Sequence, residues 1–346
     1  MEPTFHCATM EGLMKLTALF FFTLCLFINA GPPPGYYDSA IGKSGVALRN
    51  AVHEIINDHA VIRYSGGITN TEVALKVLDE DPANTNNVFL LYKQSFDSKT
   101  NFGTSTGWNR EHIWPNSYGL DDVPPDFTDL LNLRAEDANV NSSRGNKLYD
   151  ISSTNDSNYK YPAHIEASLC SSDTDSWEPP AVVKGDIARA LFYMDVRYEG
   201  DRTNEVDLVL TDEITLINSS TNFMGKLSTL LLWNEEDPVS LDEMKRNDLI
   251  FERYQHNRNP FIDHPEWVNL IFAPAFTNAP QLNVSCVSNQ VTLQWLATNQ
   301  TTQLEFTTNL FGNWMNVTNT PILSNGKFSV SVNREMSLSF FRLRVF

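Results

Sequence analysis

Apolar and polar positions alternate in three registers along this chain. KSGVALRNAVHEIINDHA, residues 43–60, places apolar side chains at helical spacing, which predicts a helix. NNVFLLYKQ, from Asn86, is a short apolar run that suits either a strand or a buried turn of helix. VKGDIARALFYMDVRYEG, Val183 to Gly200, follows Pro179-Pro180 and sets Ile187, Ala190, Leu191 and Met194 on one stripe, the pattern of a buried helix. NFMGKLSTLLLWNEEDPVSLDEMKRNDLIFERYQ holds two further helical stretches, broken at Asp237-Pro238. Residues 31–274 therefore read as an α+β domain, mainly helical with a few strands.

After about Ala275 the period changes. LNVSCVSNQVTLQWLA, QLEFTTNL, WMNVTN, KFSVSVN and LSFFRLRVF are short alternating runs separated by Asn, Gly and Ser. Gln290, Thr292 and Gln294 alternate with Val291, Leu293 and Trp295, so one face is expected to be buried. Residues 275–346 are predicted to form a small all-β sandwich. The other end differs again. Lys15 precedes LTALFFFTLCLFINA, Leu16 to Ala30, and GPPPG follows. A positive residue, a short apolar run and a small residue before a break describe a secretory signal peptide at 1–30, cleaved after Ala30. Met14 is an alternative start. The run is short for a membrane span and no stop-transfer charges follow it, so no span is expected after its removal. Of the four cysteines, Cys170 and Cys286 lie beyond that segment. Export would allow them to pair, and their spacing leaves bonded and free states both open.

Charge narrows the function. The chain carries a net charge of −17. The β-rich tail contributes Lys327, Arg334, Arg342 and Arg344 against Glu305 and Glu335, so the acid excess belongs to 31–274. A protein that grips nucleic acid through a broad basic face would not have this balance. Any phosphate chemistry must rest on local arginines and a bound cation.

Two stretches offer such chemistry. NREHIWPNSYG, Asn109 to Gly119, sets Arg110, Glu111 and His112 side by side just before Trp114-Pro115. Consecutive strand residues face opposite ways, so Glu111 and His112 serve one site only where a strand ends or bends; Pro115 makes that break plausible. DLLNLRAEDANVNSSRGN, Asp129 to Asn146, begins apolar and ends in an N-x-x-R-x-N spacing at Asn141, Arg144 and Asn146. Asn141 and Arg144 share a helix face, and asparagines weaken a helix unless their side chains are used for binding, capping or turns.

Together the two stretches resemble the bacterial endonuclease I family of secreted, nonspecific nucleases, built on the ββα-metal or His-Me finger. WEPPAVVKGDIARALFYMDVRYEG, WNEEDP at Trp233 to Pro238 and HNRNPFIDHPE from His256 extend the resemblance over most of 31–274. The resemblance implies His112 as general base, with Glu111 and Asn141 holding Mg2+, or alternatively Mn2+ or Ca2+. It implies cleavage of DNA, and possibly RNA, to 5′-phosphate and 3′-hydroxyl ends. Arg110, Arg134 and Arg144 are candidate phosphate contacts, since a guanidinium matches phosphate geometry; pairing with nearby acids is the plainer role for each. The chain departs from the family pattern at Leu131, where histidine is usual, and at Ala135, where proline is usual. It also has no arginine in 113–128. His53, His59, His256 and His264 are expected to be structural. A second reading makes the large domain an inactive scaffold, with the β-rich tail binding a polymer or cell surface.

Overall fold

The computed structural model describes residues 31–120, 122–202, 205–273, 282–287, 290–297, 302–308, 314–324, 326–333 and 340–345. The signal-like segment 1–30 and the composition boundary near Ala275 lie outside the described residues. The chain is α+β, with helices and sheets both contributing to its first 270 or so residues.

The helix predicted over 43–60 is α1, Gly45–Ile56, which buries Leu48, Val52 and Ile56. Helix α2, Thr71–Leu78, starts where the Asn70 side chain accepts the Val73 N–H, filling one of the donors a helix start leaves open. The apolar run after Asn86 resolves as strand β1, Asn87–Leu90, paired with β2, Ser95–Ser98. Next come β3, Trp108–His112, and β4, Leu133–Asp137, an antiparallel pair with Glu111 opposite Arg134. Helix α3, Ala138–Arg144, follows β4 with no loop between them. The Asp137 carboxylate accepts the Asn139 and Val140 N–H groups and starts the helix, and Gly145 ends it at φ 58°. A small cluster of Leu75, Val88, Leu90, Trp108, Leu133 and Ala135 packs α2 and β1 against the β3–β4 pair. These two strands are thus fixed on one side before any catalytic residue is placed.

Strands β5, Leu148–Tyr149, β6, Ser171–Ser172, and β7, Ser176–Glu178, form a short sheet ordered β5-β7-β6. Helix α4, Lys184–Arg197, is the centre of the main core. One buried stripe was expected, yet every residue from Ile187 to Arg197 is buried. The polar ones are matched by partners: Arg189 donates to Glu243 at 2.7 and 2.6 Å, Asp195 accepts from Arg49, and Arg197 donates to Glu205 at 2.7 Å. Satisfied in this way, a helix can bury its polar face as well. Gly185 lets the start of α4 approach the chain at Asp237, because a Cβ there would lie 2.0 Å from the Asp237 carbonyl oxygen. The remaining elements are β8, Val209–Leu210, β9, Phe223–Met224, α5, Leu227–Glu236, α6, Leu241–Arg253, α7, Pro260–Asp263, and α8, Glu266–Ile271. Helices α5 and α6 are the pair expected around Asp237-Pro238.

The tail forms two antiparallel sheets. One is ordered β10 (Asn283–Val287), β11 (Gln290–Leu296), β15 (Lys327–Asn333), β14 (Ile322–Ser324); the other β13 (Met315–Asn316), β12 (Thr302–Thr307), β16 (Phe340–Val345). Leu293, Trp295 and Val330 from the first sheet meet Leu304 from the second in a separate core. Gln290 and Gln294 face solvent as the alternation predicted. Cys170 is buried and Cys286 exposed, and both are free thiols. No described helix is long and apolar enough to cross a membrane.

Arg246 of α6 braces the entry to β4. Its guanidinium donates to the Leu130 and Leu133 carbonyls at 2.9 and 2.7 Å and to Asp79 at 2.9 Å. Arg246→Ala leaves buried acceptors unmatched and is expected to cost about 3–5 kcal/mol in urea unfolding; a loss under about 1 kcal/mol would contradict this role.

Candidate active site

Strand β3 presents its side chains in alternation, and the expected break is there: the strand ends at His112. The turn after it is held by Asn132, whose amide oxygen accepts the Trp114 N–H at 2.7 Å while its backbone carbonyl accepts Ile113 N–H at 3.0 Å. Helix α3 lies across this strand end. Arg144 donates to the His112 and Ile113 carbonyls at 3.2 and 3.0 Å and lies 3.3 Å from Glu111 Oε1. One turn earlier, Asn141 donates both amide hydrogens, to Asn109 Oδ1 at 2.8 Å and to the Arg110 carbonyl at 3.0 Å. The β3–β4–α3 order thus brings Asn141, 30 positions from Glu111 in the chain, onto the same strand end.

Each of the three central residues is fixed with one atom left for use. With its NH2 group taken, Asn141 has Oδ1 as its free acceptor, with no hydrogen bond to it among the described residues. The Glu111 carboxyl is buried, and Oε1 accepts the Tyr92 hydroxyl at 2.6 Å; no described residue hydrogen-bonds to Oε2. Burial raises the Glu111 pKa, opposed by the Arg144 charge and the Tyr92 hydrogen bond. A buried carboxylate in that condition gains from a nearby cation. His112 donates from Nε2 to the Phe127 carbonyl at 3.0 Å, which leaves the lone pair on Nδ1. Its ring stacks on Phe127 with centroids 4.8 Å apart. Burial above all pushes the imidazole pKa down to about 4; the Phe127 bond opposes this, and the charges of Arg110 and Arg144 add to it. The ring is therefore neutral at physiological pH.

The three arginines have different surroundings. Arg110 donates to Thr71 Oγ1 at 2.6 Å and the Tyr64 carbonyl at 2.8 Å, and its guanidinium sits between the Tyr64 and Phe102 rings. Arg134 is half-buried between Asp79, at 3.3 Å, and Asp186, at 3.4 Å. Arg144 is buried over the Tyr149 ring beside Glu111. Sequence reading did not find Tyr92, Tyr149, Tyr64 or Phe127. These aromatics come from four separate segments, and no spacing links them to the Arg-Glu-His stretch. Leu131, where the family pattern has histidine, is a core residue. Of the histidines expected to be structural, His264 stacks on Trp267 and His59 is buried against Arg197.

A family model described as Endonuclease I matches residues 44–266. The chain is 50% identical over 239 residues to an extracellular ribonuclease of Bacillus amyloliquefaciens, covering 68% of this chain and 78% of that protein. It is 47% identical over 247 residues to an extracellular ribonuclease of Bacillus subtilis (strain 168), with the same coverage.

The tautomer is directly observable. Nitrogen-detected NMR of the metal-free protein should show His112 protonated at Nε2 and neutral down to about pH 5, against an ordinary histidine pKa of about 6.5. Titration near 6.5, or a proton on Nδ1, would contradict the geometry.

Proposed function

The chain belongs to the endonuclease I family, and from that membership we propose that it is a secreted, metal-dependent endonuclease that hydrolyses phosphodiester bonds with little sequence specificity. The observation that carries the proposal is that His112, Glu111 and Asn141, held at one strand end, each keep a nitrogen or oxygen acceptor with no hydrogen bond from a described residue. We read β3, β4 and α3 as a ββα-metal finger within a mainly helical nuclease domain at 31–274. Residues 275–346 are read as an appended β-sandwich, and 1–30 as a cleaved signal peptide. Both relatives are named extracellular ribonucleases, which supports export and the proposal of RNA as a substrate alongside DNA.

The donor set suits Mg2+, a hard ion that needs few protein ligands: one carboxylate from Glu111 and one amide oxygen from Asn141. Bound there, the ion supplies positive charge where the phosphate and its leaving oxygen become more negative. The rest falls to the chain. His112 Nδ1 takes a proton from the attacking water, and the Phe127 carbonyl holds the opposite ring nitrogen so that the lone pair points consistently. Arg144 keeps the Glu111 carboxylate in place and adds positive potential. Of the candidate phosphate contacts, Arg110 lies two positions before the base and Arg144 donates to the base's backbone carbonyl; Arg134 is matched by Asp79 and Asp186 and acts from further back. A scaffold that worked only through the tail would not require Asn141, Glu111 and His112 each to keep an unused atom at one strand end.

Three measurements test this. His112→Ala should lower turnover on RNA and on plasmid DNA by roughly 10²–10⁴-fold while leaving the fold and the magnesium requirement intact; full activity would refute the assignment. Glu111→Gln should raise the magnesium concentration for half-maximal rate by about tenfold or more, since it removes the charged ligand; an unchanged curve would exclude Glu111. The base works when neutral, so activity falls as pH drops through its pKa. At saturating magnesium the acidic limb of kcat/KM should lie below about pH 6, because burial has lowered that pKa. A limb at pH 7 would contradict it.

A further inference from the structure

Most arginines around the candidate site are already engaged. Arg144 is committed to two carbonyls and Glu111, and Arg134 to Asp79 and Asp186. Arg110 is held between the Tyr64 and Phe102 rings, and only its Nη1 lacks a partner among the described residues. Two other arginines, Arg63 and Arg253, are exposed and have no hydrogen bond or ion pair to a described residue. Arg253 stands in the last turn of α6, where a cation complements the carbonyl end of the helix. Arg63 has no such use. Its carbonyl accepts the N–H of Thr71, the first residue of α2, at 2.9 Å, so it stands at the amino end of a helix, where a cation is disfavoured.

The neighbour of Arg63 in the chain is part of the site. The Tyr64 ring stacks on Phe127 with centroids 4.5 Å apart and lies 6.4 Å from the His112 ring. The Tyr64 carbonyl accepts from Arg110 Nη2 and from Thr71 Oγ1, both at 2.8 Å. One peptide bond therefore ties Arg63 to a residue fixed beside the candidate base. Its side chain lies along Gly67, where an added Cβ would sit 3.7 Å from Arg63 Cδ and 3.8 Å from Nη1. Gly66 and Gly67 both take left-handed φ, 71° and 72°, which glycine adopts freely and which turns this loop back toward α2.

We infer that Arg63 binds a phosphate of the substrate strand, the one flanking the bond that is cut. The inference rests on the nuclease reading above and names a contact that reading lacks. The scissile phosphate belongs to His112, Glu111 and Asn141, so the phosphate left for a residue beside Tyr64 is its neighbour. A guanidinium with all its donors free matches a phosphate bidentately. The chain has 42 acidic residues, yet none of those described pairs with Arg63, so its charge is available to an anion from outside. Contact with a backbone phosphate strengthens binding without reading the bases.

The test uses the full chain. Binding of a single-stranded RNA oligonucleotide is followed by fluorescence anisotropy in EDTA over a series of salt concentrations, and cleavage is then measured with magnesium. Arg63→Gln should weaken binding by about tenfold, equally for different base sequences. It should also make the logarithm of affinity fall less steeply with the logarithm of salt, by about 0.7. Arg63→Lys keeps the charge and should keep the slope. In cleavage, KM of Arg63→Gln should rise by a factor like that in binding while kcat stays within about twofold. A parent that binds and cleaves, with affinity, slope and KM unchanged in Arg63→Gln, would overturn the inference and leave the nuclease reading standing. A loss confined to kcat would also overturn it. A parent that binds, with Arg63→Gln weakened as stated, but does not cleave would count against the nuclease reading alone; a parent that does not bind would count against both.

Discussion

The placement of one buried guanidinium governs this site. Arg144 holds two carbonyls at the end of β3 and stands beside the Glu111 carboxylate, with the Tyr149 ring beneath it. A buried cation is tolerated only when such partners surround it, and removing one partner of a buried pair typically costs about 3–5 kcal/mol. The constraint works in both directions. Glu111 can be buried because Arg144 is there, and α3 can lie in only one position because Arg144 must reach those carbonyls. Asn141, one turn back on the same helix face, is carried to the strand end by the same interaction. Two segments remote in sequence thus acquire a fixed relation without a disulfide between the two free cysteines.

That arrangement also accounts for phosphate chemistry on an acidic protein. The net charge of −17 repels a polyanion at long range, though salt screens the repulsion beyond about 8–10 Å. Within that distance the site presents Arg110, Arg144, a neutral imidazole and the oxygens of Glu111 and Asn141. Attraction is local and directed at the backbone, which suits cleavage that ignores base sequence. Aromatic packing helps in a second way. Tyr64 and Phe127 stack beside His112, and burial of the imidazole lowers its pKa, so the ring is neutral before a substrate arrives.

Much of this was legible in the residues. The periods around 43–60, 183–200 and 222–255 gave α1, α4, α5 and α6, because helical spacing is a local property. The ordered Arg-Glu-His and N-x-x-R-x-N stretches gave the three central residues. Three things were not legible. The full burial of α4 depends on Arg49, Glu205 and Glu243, which lie far away in the chain. Tyr92, which holds Glu111, and Tyr149, which lies against Arg144, sit in stretches with no motif that marks them. His53 looked like a residue flanking a helix stripe, and only folding sets it against the Val196 carbonyl and Asp201. Each of these is a long-range pairing of polar groups, which leaves no period behind it.

The central claim is that Glu111 and Asn141 face one cation opposite His112. Anomalous diffraction from crystals soaked in Mn2+, an analogue that scatters where Mg2+ does not, addresses it most directly. The account predicts a peak within coordination distance of one Glu111 carboxylate oxygen and of Asn141 Oδ1, on the side of the strand end that His112 Nδ1 faces. A fully soaked crystal with no peak between those two residues, or with Asn141 Oδ1 turned away from the ion, would contradict it.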